Sequence, residues 1–242
     1  MATGEPPERQ DRSVRIARCA LSVAAEPWPF AEHRRAEIAT HWQRARAERP
    51  KLFDGTVYML REGVLEGESF RGRYLRTDFK SFLFWRDNGY ADASVRDSFG
   101  SAVIRSAEGH VLLGRQTSGN VNAGLAYPPG GFIDSRDVSD NGVIDIDASI
   151  ARELVEETGL EPLELERVPG YLLTRAGSLV SIGIEWRSRL PAEALRERIL
   201  AHVRSQAVPE LADIVIVRQA DEIDEDGVPR YARALLRALL VA

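Results

Sequence analysis

Three glutamates crowd one short stretch of the chain, residues 152–159, which read RELVEETG. If this stretch is helical, residues three and four apart share a face, so Glu153, Glu156 and Glu157 project together. Three like charges at this spacing repel one another, whereas carboxylate oxygens are the ligands that hard divalent cations require. The residues therefore predict a metal site on one helix face, with Mg²⁺ as the natural ion.

The residues on either side of the glutamates support a helix that ends where the cluster ends. Arg152 can hold one carboxylate through a forked pair of hydrogen bonds and so fix its orientation. Gly159 can adopt the left-handed conformation that closes a helix. The alternative interpretation is an ordinary Glu-rich helix face exposed to solvent.

The order of these residues, preceded by Pro-Pro-Gly-Gly at 128–131, resembles the signature of the Nudix hydrolases. That signature has Gly, five residues, Glu, seven residues and then Arg-Glu. Here twenty residues separate Gly131 from Arg152, where the family pattern has thirteen, so seven residues are extra. They fall within the polar run from Asp134 to Ile144, which predicts an elongated loop.

The first Glu of the signature, counted back from Arg152, falls on Ile144, so that carboxylate is absent at this spacing. Asp145 or Asp147 could substitute for it. Both positions also suit the N-terminal cap of the following helix, where Asp accepts from unpaired backbone donors and faces the positive end of the helix dipole. We favour capping.

The resemblance implies roles for the matched residues. Glu156 and Glu157 would be the main metal ligands, and Glu153 would be a further ligand or the general base. Arg152 would orient Glu153, and Gly130 would offer its carbonyl to the metal. Mg²⁺ is the expected cofactor, with Mn²⁺ as the alternative.

Other candidate site residues lie outside the signature. Family members often recruit another acid from a later loop, and Glu210 or Asp213 could serve here. Arg115, at the end of a predicted strand, is a candidate to bind the diphosphate of the substrate. The sequence does not choose between the two acids.

The front of the chain resembles the N-terminal extension of the UDP-glucose pyrophosphatase branch of the Nudix family. The residues that carry this resemblance are LFDG at 52–55 and RYLRTDFKSF at 73–82. Phe53 could stack on a base, and Arg76 could bind phosphate. The alternative is that aromatic residues at this spacing belong to the core and that the arginines form the solvated face of a strand.

The predicted elements alternate strands with helices. Residues 13–24 predict one strand, 30–48 a helix, and 98–116 a hairpin that opens the catalytic domain. We expect an α/β fold, a Nudix-type α/β/α sandwich with a mixed sheet, plus an N-terminal α+β extension. The expected division is a flexible tail at 1–12, the extension at 13–90 and the Nudix domain at 91–242.

Composition narrows the function classes. The formal net charge of −5 over 242 residues argues against a nucleic-acid scaffold, which normally carries a basic excess. Cys19 is the only cysteine, so an internal disulfide and a Cys-based zinc site are excluded. No apolar run approaches a membrane span, and the N-terminus lacks the apolar core of a signal peptide. We expect a cytoplasmic protein; its oligomeric state is left open, including a homodimer.

The resemblance implies magnesium-dependent hydrolysis of the diphosphate linkage in a small-molecule nucleoside diphosphate derivative. A UDP-sugar giving UMP and sugar 1-phosphate is the favoured substrate. The alternatives are ADP-ribose, a dinucleotide or a coenzyme A derivative. A Nudix-fold module that binds a nucleotide without turnover is the alternative from another function class.

Overall fold

A computed structural model describes residues 11–240 of the chain. The strands are β1 (Arg12–Ile16), β2 (Arg18–Val23), β3 (Thr56–Glu66), β4 (Ser69–Asp78), β5 (Asp97–Arg105), β6 (Val111–Gln116), β7 (Ala126–Tyr127), β8 (Val143–Ile144), β9 (Glu166–Arg167), β10 (Tyr171–Ala176), β11 (Leu179–Arg187) and β12 (Leu211–Val217). The helices are α1 (Pro29–His33), α2 (Arg35–Glu48), α3 (Phe79–Asp87), α4 (Ile146–Thr158), α5 (Ala192–Ser205) and α6 (Arg230–Leu239). Of the predicted tail, residues 1–10 lie outside the described residues, and Arg12 is the first residue of β1.

The larger sheet has the strand order β1-β10-β11-β5-β6-β12, with β7 paired to β6 and β9 paired to β11. The β11–β5 pair is parallel and the other pairs are antiparallel, so the sheet is mixed. Successive residues of a strand face opposite sides of the sheet. Accordingly Ile104 packs in the cluster that contains α4 and α5, whereas its neighbour Val103 packs with Leu235 of α6. Helices therefore cover both faces, and the predicted α/β/α sandwich is confirmed.

The smaller sheet has the strand order β3-β4-β2-β8. Helix α3 packs its buried aromatic side chains against this sheet, and Trp28 joins the same apolar cluster. The aromatic residue Phe132, which follows the Pro-Pro-Gly-Gly segment, packs edge-on against Phe82 of α3 at 4.8 Å. The N-terminal elements therefore pack directly against the part of the chain that carries the signature.

The single strand predicted over residues 13–24 is wrong. The segment forms two strands that belong to different sheets: β1 pairs with β10, and β2 pairs with β4. The backbone N–H groups of Ala17 and Arg18 both donate to the carbonyl of Glu68, at 2.8 and 3.1 Å, and this contact lies where the first pairing ends and the second begins.

The seven extra residues of the signature do not form a simple elongated loop. A short 3-10 helix (Ser135–Asp137) is followed by β8, and β8 pairs with β2 through the register Leu21↔Ile144. The insertion is therefore the fourth strand of the smaller sheet. None of the helices within residues 11–240 has the length and apolar character needed to cross a bilayer.

The hydroxyl groups of Tyr74 and Ser98 form a buried hydrogen bond of 2.9 Å between the smaller and the larger sheet. We expect Tyr74→Phe to lower the free energy of unfolding by about 1 kcal/mol, because the Ser98 hydroxyl loses a buried partner. Urea denaturation measures the change. In a double-mutant cycle with Ser98→Ala the two effects should be coupled, and strict additivity would contradict the contribution of this bond.

Candidate active site

Helix α4 has the limits that its sequence predicts. The Asp145 carboxylate accepts a hydrogen bond from the Ala148 N–H at 3.0 Å, so Asp145 is the N-cap, and the capping interpretation is confirmed for it. Asp147 instead bonds to Arg167 at 2.8 Å. At the other end Gly159 has a φ of +66°, the left-handed cap expected of a glycine there.

The three signature glutamates differ in their exposure. The Glu156 side chain is half exposed, whereas the side chain of Glu153 is 13% exposed and Glu157 as a whole is 5% exposed. The Glu157 Oε1 accepts a hydrogen bond from the Gly130 N–H at 2.8 Å. The Glu157 Oε2 is buried without a hydrogen-bond partner among the described residues. One carboxylate oxygen is thus held in place while the other is left for a ligand.

The two signature glycines lie where the Pro-Pro-Gly-Gly segment contacts β5 and α4. The Pro-Pro-Gly-Gly segment lies against β5, where the Gly100 N–H donates to the Gly131 carbonyl at 3.2 Å. A Cβ atom on Gly130 would collide with the Gly100 carbonyl oxygen, and one on Gly131 would lie 2.8 Å from the Glu153 carboxylate. The contact between Gly130 and the cluster is made by its N–H, and the metal-binding role of its carbonyl stays a prediction.

Burial and mutual repulsion raise the pKa values of the inner glutamates. Burial, then the charge of Glu156, raises the pKa of Glu153 to about 7, against the opposing charge of Arg152. Burial also raises the pKa of Glu157 well above its ordinary value, and the charges of Glu153 and Glu210 add to the effect. The hydrogen bond from Gly130 acts in the other direction. The positive charge of Arg152 therefore does not offset burial and mutual repulsion at Glu153.

The donor set fits a hard divalent cation. The donors are carboxylate oxygens, one of them buried and unpartnered, and the groups repel one another in the absence of a cation. Among residues 11–240, however, no group of three or more Asp, Glu, His or Cys side chains has the geometry of a metal site. The side chains provide oxygen ligands suited to a divalent cation, but they would have to move closer together to bind one.

The main partner of Arg152 is Asp137. The two Arg152 Nη atoms lie 2.6 and 3.2 Å from the two Asp137 carboxylate oxygens. The closest oxygen of Glu153 lies 3.7 Å away and that of Glu156 4.0 Å away, so these contacts are ion pairs without a hydrogen bond. Asp137 is fully buried and also accepts from the Ser149 hydroxyl at 3.0 Å.

The sequence analysis missed Asp137 because it counted back from Arg152. Counting five intervening residues forward from Gly131 reaches Asp137, the position of the first Glu in the family pattern. The seven extra residues then follow Asp137, because fourteen residues separate it from Arg152 where the pattern has seven. A forward count would have found this acid.

A cavity of about 490 Å³ opens beside Glu153. Glu210 lines it, and the charge of Glu210 acts on both Glu153 and Glu157. Asp213, the other candidate for the additional acid, bonds to Arg196 of α5 at 2.7 Å. The rest of the lining combines amides with aromatic rings, among them Gln116, Asn120, Asn122, Phe99, Tyr127 and Tyr231.

Three further candidates from the sequence lie outside this lining. Arg115 donates to the Gly124 carbonyl at 2.8 Å. Phe53 is 81% exposed, although its neighbour Leu52 lines the cavity. Arg76 lines a separate cavity of about 570 Å³ among the N-terminal elements. Their binding roles stay predictions, and the arginine that does line the site is Arg86.

Asp97, the first residue of β5, also lines the cavity, and sequence reasoning did not single it out. It is 9% exposed, and its Oδ1 has no hydrogen-bond partner among the described residues. Burial raises the pKa of Asp97 to about 7, against the opposing charge of Arg86. Three tyrosines lie close enough for its charge to raise their pKa values: Tyr90, Tyr127 and Tyr231.

Because its folded-state pKa is raised, Asp97 should lower stability progressively as the pH rises from about 4 through about 7. Asp97→Asn removes the buried charge, so we expect it to raise the free energy of unfolding at pH 8 by about 2 to 4 kcal/mol. The gain over wild type should be smaller at pH 4.5. Denaturant titrations of both proteins at the two pH values measure it.

Glu185 provides the matched control on the neighbouring strand β11. It is also buried, but hydrogen bonds from Arg15 and Arg187 outweigh burial and lower its pKa. Glu185→Gln should therefore lower the free energy of unfolding at pH 8, by about 3 kcal/mol. If Asp97→Asn also destabilised the protein at pH 8, its carboxylate would have a structural partner after all.

A sequence model of the NUDIX domain matches residues 96–222, more than half of the chain. No curated protein sequence matches the chain. The match includes β5, the Pro-Pro-Gly-Gly segment, α4 and Glu210, and it leaves out the first three helices and the smaller sheet except β8.

Several solved structures are similar to this chain at low identity. The Nudix hydrolase RenU from M. smegmatis is 19% identical, with 59% of this chain and 83% of that chain covered and a TM-score of 0.37. The MutT protein from Methanosarcina mazei Go1 is 20% identical, with coverages of 59% and 91% and a TM-score of 0.39.

A bifunctional NMN adenylyltransferase/ADP ribose pyrophosphatase from Francisella tularensis, complexed with AMP and a Mn ion, is 15% identical. The alignment covers 66% of this chain and 45% of that one, with a TM-score of 0.41. At such TM-scores these similarities carry no argument of their own, and the assignment rests on the domain match. The chain belongs to the Nudix family of pyrophosphohydrolases.

Proposed function

We propose that this protein hydrolyses the diphosphate linkage of a nucleoside diphosphate derivative with Mg²⁺ as cofactor, or Mn²⁺ in its place. One observation carries the proposal: Glu153 and Glu210 line a cavity of about 490 Å³, a volume within the range of small-molecule sites, and their charges repel that of the buried Glu157. A UDP-sugar giving UMP and sugar 1-phosphate is the favoured substrate, on the sequence resemblance of the N-terminal extension alone.

Glu153, Glu156 and Glu157 would hold the metal, and Glu210 is the favoured additional acid because it lines the cavity. A bound divalent ion supplies charge neutralisation at the phosphates and a water of lowered pKa. The Glu153 carboxylate faces the cavity, where it can accept the proton of an attacking water if it is not itself a ligand.

The remaining contacts orient these groups. Arg152 donates two hydrogen bonds to Asp137, so its guanidinium has a fixed position beside Glu153 and Glu156. Gly130 holds one oxygen of Glu157 in the same way. Rigid placement of charge is what phosphoryl chemistry requires most, and no covalent nucleophile is needed.

Catalysis is favoured over a module that only binds a nucleotide. The buried oxygen of Glu157 has no hydrogen-bond partner among the described residues, so its burial lowers the stability of the fold without a compensating contact. Such carboxylates occur preferentially at functional sites. The substrate alternatives are ADP-ribose, a dinucleotide and a coenzyme A derivative.

We also propose that the chain divides into an N-terminal extension at 13–90 and a Nudix domain at 91–242, and that the protein is located in the cytoplasm.

Glu157→Gln should lower turnover by about 100-fold or more while the fold survives, because the neutral side chain keeps its shape but loses the charge needed for a cation. Phosphate release through a coupled phosphatase, with Mg²⁺, is measured on UDP-glucose, other nucleotide sugars, ADP-ribose, dinucleotides and nucleoside triphosphates. Glu197→Gln, an exposed glutamate on α5, is the matched control. A wild-type protein that is silent on the whole panel yet stabilised by a nucleotide would indicate the binding module.

Asp137→Asn should lower kcat by about tenfold or more with little change in KM, because it acts on the substrate only through the position of Arg152. It should also lower the free energy of unfolding by about 3 kcal/mol, since Arg152 loses a buried counter-ion. Asp147→Asn tests the other interpretation, in which Asp147 replaces the first Glu of the signature. A larger loss of kcat in Asp147→Asn than in Asp137→Asn would contradict the role given to Asp137.

A further inference from the structure

The cavity extends from the signature carboxylates to a second acid, Asp97. Strand β5 lines the cavity between them: Gly100 bonds to Gly131, which contacts Glu153, and Asp97 lies three residues earlier on the same strand. Three residues of a strand span about 10 Å. Because Glu153 and Asp97 line the same cavity, a substrate whose diphosphate lies beside Glu153 can place its nucleoside or sugar at Asp97.

The walls near Asp97 suit a planar ring. Phe99 and Tyr231 pack edge to face at 4.8 Å, and Tyr127 lies 6.3 Å from Tyr231. All three line the cavity. Nucleobase sites commonly combine aromatic rings with a polar group. The rings stack on the face of the base, and the polar group forms hydrogen bonds with its edge.

Within residues 11–240, no hydrogen-bond donor to the Asp97 carboxylate accounts for its burial. Its Oδ1 is unpartnered among the described residues. The nearby cation, Arg86, is bonded to Asp87 at 3.1 and 3.2 Å. Glu185 shows the contrast: it is also buried, but three arginines surround its carboxylate.

We propose that Asp97 is a specificity-determining residue that accepts a hydrogen bond from an N–H group on the edge of the substrate's nucleobase. This inference rests on the proposed function, since the base must belong to a nucleoside diphosphate. A buried carboxyl that binds one donor discriminates strongly, because a base without that donor leaves the carboxyl unpaired.

The test compares wild type with Asp97→Asn on ADP-, GDP-, CDP- and UDP-glucose, with kcat and KM measured for each. For the preferred base, Asp97→Asn should lower kcat/KM by about tenfold to hundredfold, mainly through KM, so that the ratios between bases change. Glu185→Gln serves as the control: it should lower the stability but leave the ratios between bases unchanged. Asp97→Ser provides a second variant with a shorter side chain.

A binding measurement separates the base from the sugar. Titration of the wild type with the nucleoside monophosphate of the preferred base should show weaker binding once that base is methylated at its N–H. The difference should disappear in Asp97→Ala, which has no side-chain acceptor, whereas the amide oxygen of Asn can still accept. Removal of the ribose 2′-hydroxyl should have the same effect on wild type and Asp97→Ala. A loss of binding in Asp97→Ala that depends on the sugar hydroxyls, and not on the base, would overturn the proposal.

Failure of the inference is distinguishable from failure of the proposed function. If the wild type hydrolyses none of the four substrates and none of the wider panel, the proposed function fails. If it hydrolyses them and Asp97→Asn leaves the ratios between bases unchanged, only the role of Asp97 is overturned.

Discussion

The close approach of α4 to β5 is the constraint on which the site depends. Gly100 and Gly131 allow it: a side chain on the first would collide with Ile150 of α4, and one on the second with the carboxylate of Glu153. This approach removes Glu157 from water and leaves it the Gly130 N–H as its one hydrogen-bond donor among the described residues. The same packing that completes the core therefore creates the electrostatic repulsion of the site. A bound cation would relieve that repulsion, so the stability of the core and the affinity for an ion are coupled.

Four buried carboxylates of the chain separate into two kinds according to their partners. Asp137 and Glu185 face arginines and accept hydrogen bonds from them, so they connect elements of the fold. Glu157 and Asp97 are buried to a similar degree, yet each has an oxygen without a partner among the described residues, and burial raises both pKa values. An unpaired buried carboxylate lowers stability. Asp97 lines the cavity, and Glu157 accepts a hydrogen bond from Gly130, which also lines it. Both unpaired carboxylates therefore belong to the site, where a ligand can supply the missing partner.

Local patterns were predictable from the sequence, and pairing between distant segments was not. The limits of α4 follow from a capping Asp145 and a terminal Gly159, both of which act on their immediate neighbours. Residues 13–24 divide between two sheets because β1 pairs with β10 and β2 pairs with β4. The sequence pattern of a strand does not specify which other strand it pairs with. The signature glutamates share one helix turn, so their proximity is a local property. By contrast, only the tertiary structure places Asp97 at the site, and the residues next to it in the sequence form no recognisable motif.

The insertion shows how the N-terminal elements reach the catalytic part of the chain. Strand β8 is held by β2, and the backbone N–H of Asp145, which begins the cap of α4, donates to the carbonyl of Asp137 at 2.8 Å. The residues that lead into α4 are thus joined on one side to the smaller sheet and on the other to the acid that holds Arg152. The seven additional residues therefore connect the extension to the base of the signature helix. A change in the packing of β2 would reach Arg152 through three hydrogen-bonded steps: β2 to β8, Asp145 to Asp137, and Asp137 to Arg152.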